Sequence, residues 1–298
     1  MIDCNLQHIL HNVIKSLDDS GLGNNLFQIS ATIGIGNKFD ISWQVSDIEK
    51  INKLLKKFGG NHQKTIYRNV KVGKYNSDNI YLKEETNIFN EEFLKKIKEN
   101  KENNIIINGY FQSYKYFENS RDELINLFSP DEQSLEKIKK KYNRLFEDHY
   151  ECISLHIRNN WADRFKYSEQ YFIDAINYIK NKRKNKNYIL FIVSDDIENL
   201  KDKFLKNYEI KKIWVQDNPD YIDMWVMMFC KHNILSHSTL SWWGAYLNNN
   251  IDKIVIYPRK WIESIYWKQI EKDNTYQKRF EESHYPKEWV GLDTKIFK

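Results

Sequence analysis

The chain has 298 residues, which bounds it to one large or two ordinary domains with ample material for a core. No window approaches the roughly 18 to 20 apolar residues of a membrane span, no basic-then-apolar leader opens the chain, and Cys4, Cys152 and Cys230 are odd in number and far apart, so the expectation is a cytoplasmic protein with free thiols, not a disulfide framework. The net charge of +5 is compatible with a polyanionic ligand, but runs such as Lys137–Lys141 and 180–186 read as solvated helix faces, and the clustered arginines with interleaved aromatics of a nucleic-acid binder are missing.

Only 10 Gly and 4 Pro punctuate the chain, so long helices joined by short turns are expected. A glycine-rich turn at Gly21–Asn24 opens an apolar-periodic helix (Leu26, Phe27, Ile29, Ile33), and a strand-like run covers Phe39–Val45. Charged helices follow near 47–57 and 90–100, then a buried strand at Ile105–Ile107 running into Gly109-Tyr-Phe-Gln-Ser113, and helices near 119–128 and 132–147. From there strands and helices alternate: strand 152–157, helix 168–182, strand 188–193, helix 196–206, strand 213–215, helix 219–231, strand 234–235, helix 239–248 and strand 254–257. Such alternation means βαβ units and a parallel sheet. The predicted organisation is an α/β chain with an N-terminal domain at 1–148 and a C-terminal domain at 149–298.

Ligands of parallel sheets bind beyond the carboxyl ends of the strands, so the residues there are the candidates. Strand 152–157 ends in His156-Ile157-Arg158-Asn159-Asn160-Trp161. Arg158 can bind a phosphate through its planar fork, or stand as an exposed loop arginine. Strand 188–193 ends in Ser194-Asp195-Asp196, acids that suit a ribose, a base, a metal or a helix cap. Strand 234–235 ends in the hydroxyl cluster Ser236, Ser238, Thr239 and Ser241, followed by Trp242-Trp243-Gly244. Hydroxyls at a helix start can cradle a phosphate with the helix N–H groups, or cap the helix. In the first half, Gly21 and Gly23 offer a backbone that a ligand can approach closely.

The segments Gly21-Leu-Gly-Asn-Asn-Leu-Phe-Gln28, Gly109–Ser113, Ser154-Leu-His-Ile-Arg158, Phe191–Asp196 and His232–Leu247, with Tyr285-Pro-Lys-Glu-Trp289 near the end, occur in one order. That order and spacing resemble the galactoside α-1,2-fucosyltransferases of glycosyltransferase family 11, over essentially the whole chain. The resemblance implies a GT-B fold, two Rossmann-like domains facing across a cleft, with GDP-β-L-fucose mainly on the C-terminal one. It implies inverting transfer to the 2-hydroxyl of a galactose-terminated glycan, with no metal and no cofactor beyond the GDP-fucose co-substrate. Animal members carry a membrane anchor, for which this chain leaves no room before Gly21.

On that reading Arg158 stabilises the departing pyrophosphate, with Ser238, Thr239 and Ser241 around the same phosphates. His156 and Asn24 line the donor side with Gly21 and Gly23, and Asp223 accepts from the guanine N–H groups. One departure stands out. The family pattern is His-x-Arg-Arg-x-Asp, whereas here Asn159 replaces the second arginine and Trp161 the acid. Losing one charge-assisted donor to a developing anion costs about 3 kcal/mol, roughly a hundredfold in rate. Asn159 still donates one neutral bond, and Asp163 is the nearest general base for the acceptor hydroxyl, ahead of Glu169. The alternative is a catalytically weak or inactive relative that binds GDP-sugar or glycan.

Overall fold

The computed structural model describes residues 1–4, 21–46, 60–73, 80–86, 88–158, 168–259 and 274–293. The predicted helix near 47–57 and the candidates Asn159 and Asp163 lie outside them. The chain divides into two compact units, one of residues 1–129 with 278–286 and the other of 130–277 with 287–298.

In the first unit, β1 (Ile2–Cys4), β2 (Trp43–Ser46), β3 (Val72–Gly73), β4 (Ile80–Lys83) and β5 (Ile105–Asn108) form a parallel sheet in the order β3-β2-β1-β5-β4. Helix α1 (Leu22–Phe39) is buried on nearly every side from Leu22 to Gly36, where its apolar residues are interspersed with the small or polar Asn25, Gln28, Ser30 and Thr32. It ends where Asp40 turns left-handed at φ 56 and its N–H bonds the Gly36 carbonyl. That turn is why Phe39, read as strand, belongs to the helix, and why β2 begins only at Trp43. Within α1, Gly34 admits a neighbouring backbone: a Cβ there would lie 2.4 Å from the Phe117 Cα. Helices α2 (Glu91–Glu99) and α3 (Arg121–Phe128) follow, α2 capped by Asn90, whose side chain accepts from the Phe93 N–H at 3.1 Å.

In the second unit the elements run α4 (Glu132–Lys141), β6 (Tyr150–Ile157), α5 (Glu169–Lys182), β7 (Asn187–Ser194), α6 (Ile197–Leu200), β8 (Lys211–Val215), α7 (Asp220–Phe229), β9 (His232–Ile234), α8 (Thr239–Leu247), β10 (Val255–Pro258) and β11 (Val290–Leu292), while α9 (Asn274–His284), between β10 and β11 in sequence, belongs mostly to the first unit. The six strands are parallel and ordered β11-β10-β9-β6-β7-β8. Read from β6 outward, this is the doubly wound dinucleotide-binding order, with the reversal between β6 and β9. Strands β6 and β7 are near-continuous apolar runs because helices cover both faces. One face packs Ile153, Leu155, Leu190 and Ile192 against Tyr171, Phe172, Ile176 and Ile179 of α5. On α7 and α8, Trp225, Trp242 and Trp243 are fully buried. Gly244 lets those two helices touch, since a Cβ there would meet the Met227 Cβ at 2.6 Å.

Two predicted helices are shorter than expected. The helix read at 132–147 ends at Lys141 and gives way to a 3-10 turn at Asn143–Phe146. The helix read at 196–206 is only α6, followed by turns through Leu205 at φ 52. The strand ends, however, stand where the alternation predicts, and these carry the site.

Candidate functional site

At the reversal of the second sheet, β6 and β9 run side by side in the register Leu155↔Ile234. Just beyond, His156, one residue on, meets Ser236, two residues on, with Nδ1 and Oγ 2.6 Å apart and both side chains buried. Burial, with the Arg158 charge adding to it, pushes the His156 pKa down from 6.5 to about 3, so the imidazole is neutral at physiological pH. Because the folded value lies below the unfolded one, the unfolded chain alone takes up this proton between pH 6.5 and about 3. Stability linked to His156 is therefore complete above 6.5 and falls as pH drops through that window. The check is imidazole NMR: His156 should show no titration between about pH 8 and 5, whereas a midpoint near the ordinary histidine value would mean the ring is not sealed.

Arg158 emerges one residue past β6. Across the sheet, Ile157 is in register with Ser194, which places Asp195 beside Arg158. Their ion pair is 3.1 Å from Nε to Oδ2, with the side chains 38% and 20% exposed. Asp195 was open in the sequence between ligand, metal and cap. Here it holds the arginine, while the Ser194 hydroxyl accepts from the Asp196 N–H at 3.1 Å. Sequence reasoning missed both the Asp195–Arg158 pair and the Ser236 partner of His156. The signal for each was positional, since each pair joins adjacent strand ends.

The N-terminus of α8 follows directly from β9. Ser238 is the N-cap residue by position, but its side chain makes no capping bond. The Ser238 N–H instead closes a turn onto the Ser236 carbonyl at 2.8 Å, and the fully buried Ser241 donates its hydroxyl back to the Ser238 carbonyl at 3.0 Å. The expected hydroxyl cap is thus absent among the described residues, because Ser241 shapes the turn from behind. Thr239 and Leu240, half-buried, form the start of the helix. A first turn without a side-chain cap presents N–H groups and the positive end of the helix dipole.

Asp223 lies apart from these, in the first turn of α7 beyond β8. Burial raises its pKa from 3.8 to about 7, against the bond from Asn218, whose Nδ2 donates to Oδ1 at 2.8 Å. The same Asn218 amide donates to the Tyr142 hydroxyl at 2.7 Å, and Lys141 bonds the Asn218 Oδ1 at 2.9 Å. Asp223 is therefore the half-buried end of a polar chain at the carboxyl end of β8.

The remaining candidates belong to the first unit. Gly21 is the N-cap residue of α1 at φ −70, and Gly23 lies inside its first turn, so the tight glycine turn expected there is a helix start instead. A Cβ on Gly21 would meet nothing within 4 Å. Neither backbone nor packing demands a glycine at this position. Asn24 accepts from the Gln112 amide at 3.0 Å. Gln112 in turn offers its carbonyl to His284 Nδ1 at 2.6 Å, and Ser113 donates to the Ser283 carbonyl at 2.6 Å. Three motif segments of this unit, around Asn24, Gly109–Ser113 and His284-Tyr285, therefore form one bonded cluster.

Residues 61–293 match the family model described as glycosyl transferase family 11. The chain belongs to glycosyltransferase family 11. It is 26% identical over 282 residues to an alpha-1,2-colitosyltransferase of Escherichia coli, covering 82% of this chain and 90% of that one. It is also 34% identical over 186 residues to the O-antigen biosynthesis glycosyltransferase WbnK of Escherichia coli, a match covering 57% of this chain and 59% of that relative. Among solved structures, the fucosyltransferase NodZ from Bradyrhizobium shares the fold at a TM-score of 0.51 and 13% identity, over 76% of this chain and 89% of that one. This family 11 chain is thus a glycosyltransferase built on parallel α/β sheets. Among its described residues, no helix is long and apolar enough to cross a membrane.

Proposed function

We propose that the protein transfers L-fucose from GDP-β-L-fucose to the 2-hydroxyl of a galactoside with inversion, in a GT-B arrangement and without a metal. The observation that carries this reading is the pairing of Arg158, held by Asp195, with the uncapped N-terminus of α8 around the β6–β9 reversal. Strands about 4.8 Å apart put the ends of β9, β6, β7 and β8 about 14 Å across in all, a row that suits an extended nucleoside diphosphate. In the proposed orientation the pyrophosphate sits against Arg158, Ser238, Thr239 and the α8 N–H groups, with Ser241 supporting the turn and the guanine toward Asp223. His156 stays neutral and lines the donor with Asn159.

As the glycosidic bond breaks, negative charge grows on the β-phosphate and positive charge on the sugar ring. Arg158 and the helix N–H groups are preorganised toward that developing anion. Asp195 pairs with the arginine through Nε, which leaves the two-Nη edge of the fork for phosphate. The acceptor hydroxyl attacks from the opposite face as Asp163 takes its proton, so the anomeric centre inverts.

A second donor follows from the colitosyltransferase relative: GDP-colitose, whose sugar is L-fucose without its 3-hydroxyl. Incubating the protein with GDP-fucose, GDP-colitose and a set of UDP-sugars over a panel of galactosides, read by product mass, separates the readings. Addition of one fucose residue from GDP-fucose is the expected result, and preference for GDP-colitose would reassign the sugar. Transfer from UDP-sugars alone would overturn the nucleotide assignment. Calorimetric binding of GDP-fucose with no transfer would make the chain an inactive relative, as the missing second arginine at Asn159 allows.

A further inference from the structure

Glu84 stands immediately after β4, the edge strand of the first sheet, and is only 5% exposed. Its backbone N–H continues the ladder to the Asn108 carbonyl at 2.7 Å. Its Oε1 accepts from the Tyr116 hydroxyl at 2.9 Å, and that hydroxyl accepts from the Asn90 N–H at 3.0 Å. Thr86 lies 3.5 Å from the same oxygen, but its own hydroxyl is engaged by the Ile88 carbonyl at 2.7 Å.

The carboxyl faces the loop that follows β5. Gly109 is pressed against it: a Cβ there would lie 2.9 Å from the Glu84 Cβ and 3.1 Å from Oε2. Two residues on, Phe111 is left-handed at φ 50, a conformation that bulky side chains avoid. Its ring is nevertheless buried, edge-on to Tyr116 at 5.4 Å and tilted against Phe93 at 5.5 Å. Backbone strain of this kind persists only where its surroundings over-determine it, and it concentrates at working sites. Here the surroundings are Glu84 and Tyr116 below, and His284 and Ser283 beside. Beyond the clamp, the loop presents the exposed Tyr110 and the Asn24–Gln112 pair.

We propose that Glu84 is a positioning residue: with Tyr116 it locks the Gly109–Ser113 loop in its strained shape, so that Tyr110 and Gln112 are presented to the acceptor sugar. The acceptor half of this statement rests on the glycosyltransferase reading above; the clamp itself does not. Burial raises the carboxyl from 4.5 to about 7, so a glutamine, neutral and nearly the same shape, reproduces the protonated side chain and keeps the bond from Tyr116.

The test compares Glu84→Ala and Glu84→Gln with the unaltered protein in two measurements. Amide hydrogen exchange over residues 109–113 reads the clamp whether or not the protein turns over. Alanine should speed exchange there by about tenfold, the loss of one buried hydrogen bond, while glutamine leaves it near the original rate. Exchange unchanged in the alanine variant, or raised equally across the chain, overturns the proposal. Steady-state kinetics then read the acceptor: alanine should raise the acceptor KM about tenfold with GDP affinity by calorimetry unchanged, and glutamine should restore it. An unchanged KM, or an equal loss of GDP affinity, overturns the acceptor half. If the unaltered protein transfers nothing, the functional reading fails and the exchange result still decides the clamp.

Discussion

Arg158→Ala should lower turnover by about a hundredfold or more, a loss of about 3 kcal/mol in transition-state stabilisation, while the fold and the melting transition stay as they were. The separation of the two effects follows from where the residue stands. Arg158 lies one residue beyond the last core position of β6, so removing it opens no cavity, and its pair with Asp195 is partly solvated. Partly solvated pairs contribute little to stability. On the proposed reading, what is lost is a delocalised cation facing the bond-breaking phosphate. Arg158→Lys should recover only part of the rate, because an ammonium keeps the charge but not the planar two-point fork. Steady-state kinetics beside circular dichroism melting make the check. Near-normal turnover in the alanine variant would remove the residue, and with it the proposed phosphate position, from the mechanism. The dependence should be strong in this chain, since Asn159 stands where relatives of the resembling pattern have a second arginine.

The second large effect is on stability. Trp242→Ala should cost about 3 to 5 kcal/mol, a sizeable share of the roughly 5 to 15 kcal/mol that holds a typical domain together. Trp242 is 1% exposed, stacks on Tyr246 at 4.7 Å, and meets the edge of Trp243 at 5.1 Å and the tilted ring of Trp289 at 5.6 Å. No neighbour of that cluster can collapse into an indole-sized void. Urea unfolding followed by far-ultraviolet dichroism should show the midpoint falling with the slope unchanged. Trp242→Phe should keep most of the stability by preserving the stack. Equal midpoints for the alanine variant and the parent would mean that the aromatic cluster does not hold α8.

Long, strongly patterned elements were legible in the sequence. Strand β7 is a continuous apolar run from Ile189 to Val193, α5 repeats its buried residues at helical spacing, and α1 carries apolar residues at helical period. Strands β1, β3 and β11 were not legible, being three, two and three residues long. Segments so short have no period of their own and exist because neighbours pair with them. Strand β4 alternates half-buried and exposed residues, with Tyr81 outward, and an edge strand of that kind looks like a polar loop. Helix α9 is strongly polar and was hidden for the same reason. At the site, the identities of Arg158, His156 and the serine cluster could be read from their places at strand ends. Their partners could not, because Asp195 reaches Arg158 only through the Ile157↔Ser194 register, and Ser236 reaches His156 only once β9 has crossed to the far side of β6.

The chain's return path has a consequence for its birth on the ribosome. Gln112 and Ser113 complete their bonds with His284 and Ser283, residues 172 and 170 positions later. At ordinary synthesis rates of about 5 to 20 residues per second, that is a delay of about ten to thirty seconds. Through that interval the first sheet can pair its strands, yet its motif loop waits with two polar groups unmet. Five of the second sheet's six strands, β6 to β10, are made within the wait, and β11 follows it. A chain released before Ser283 would therefore lack both the partners of that loop and the last strand of the second sheet.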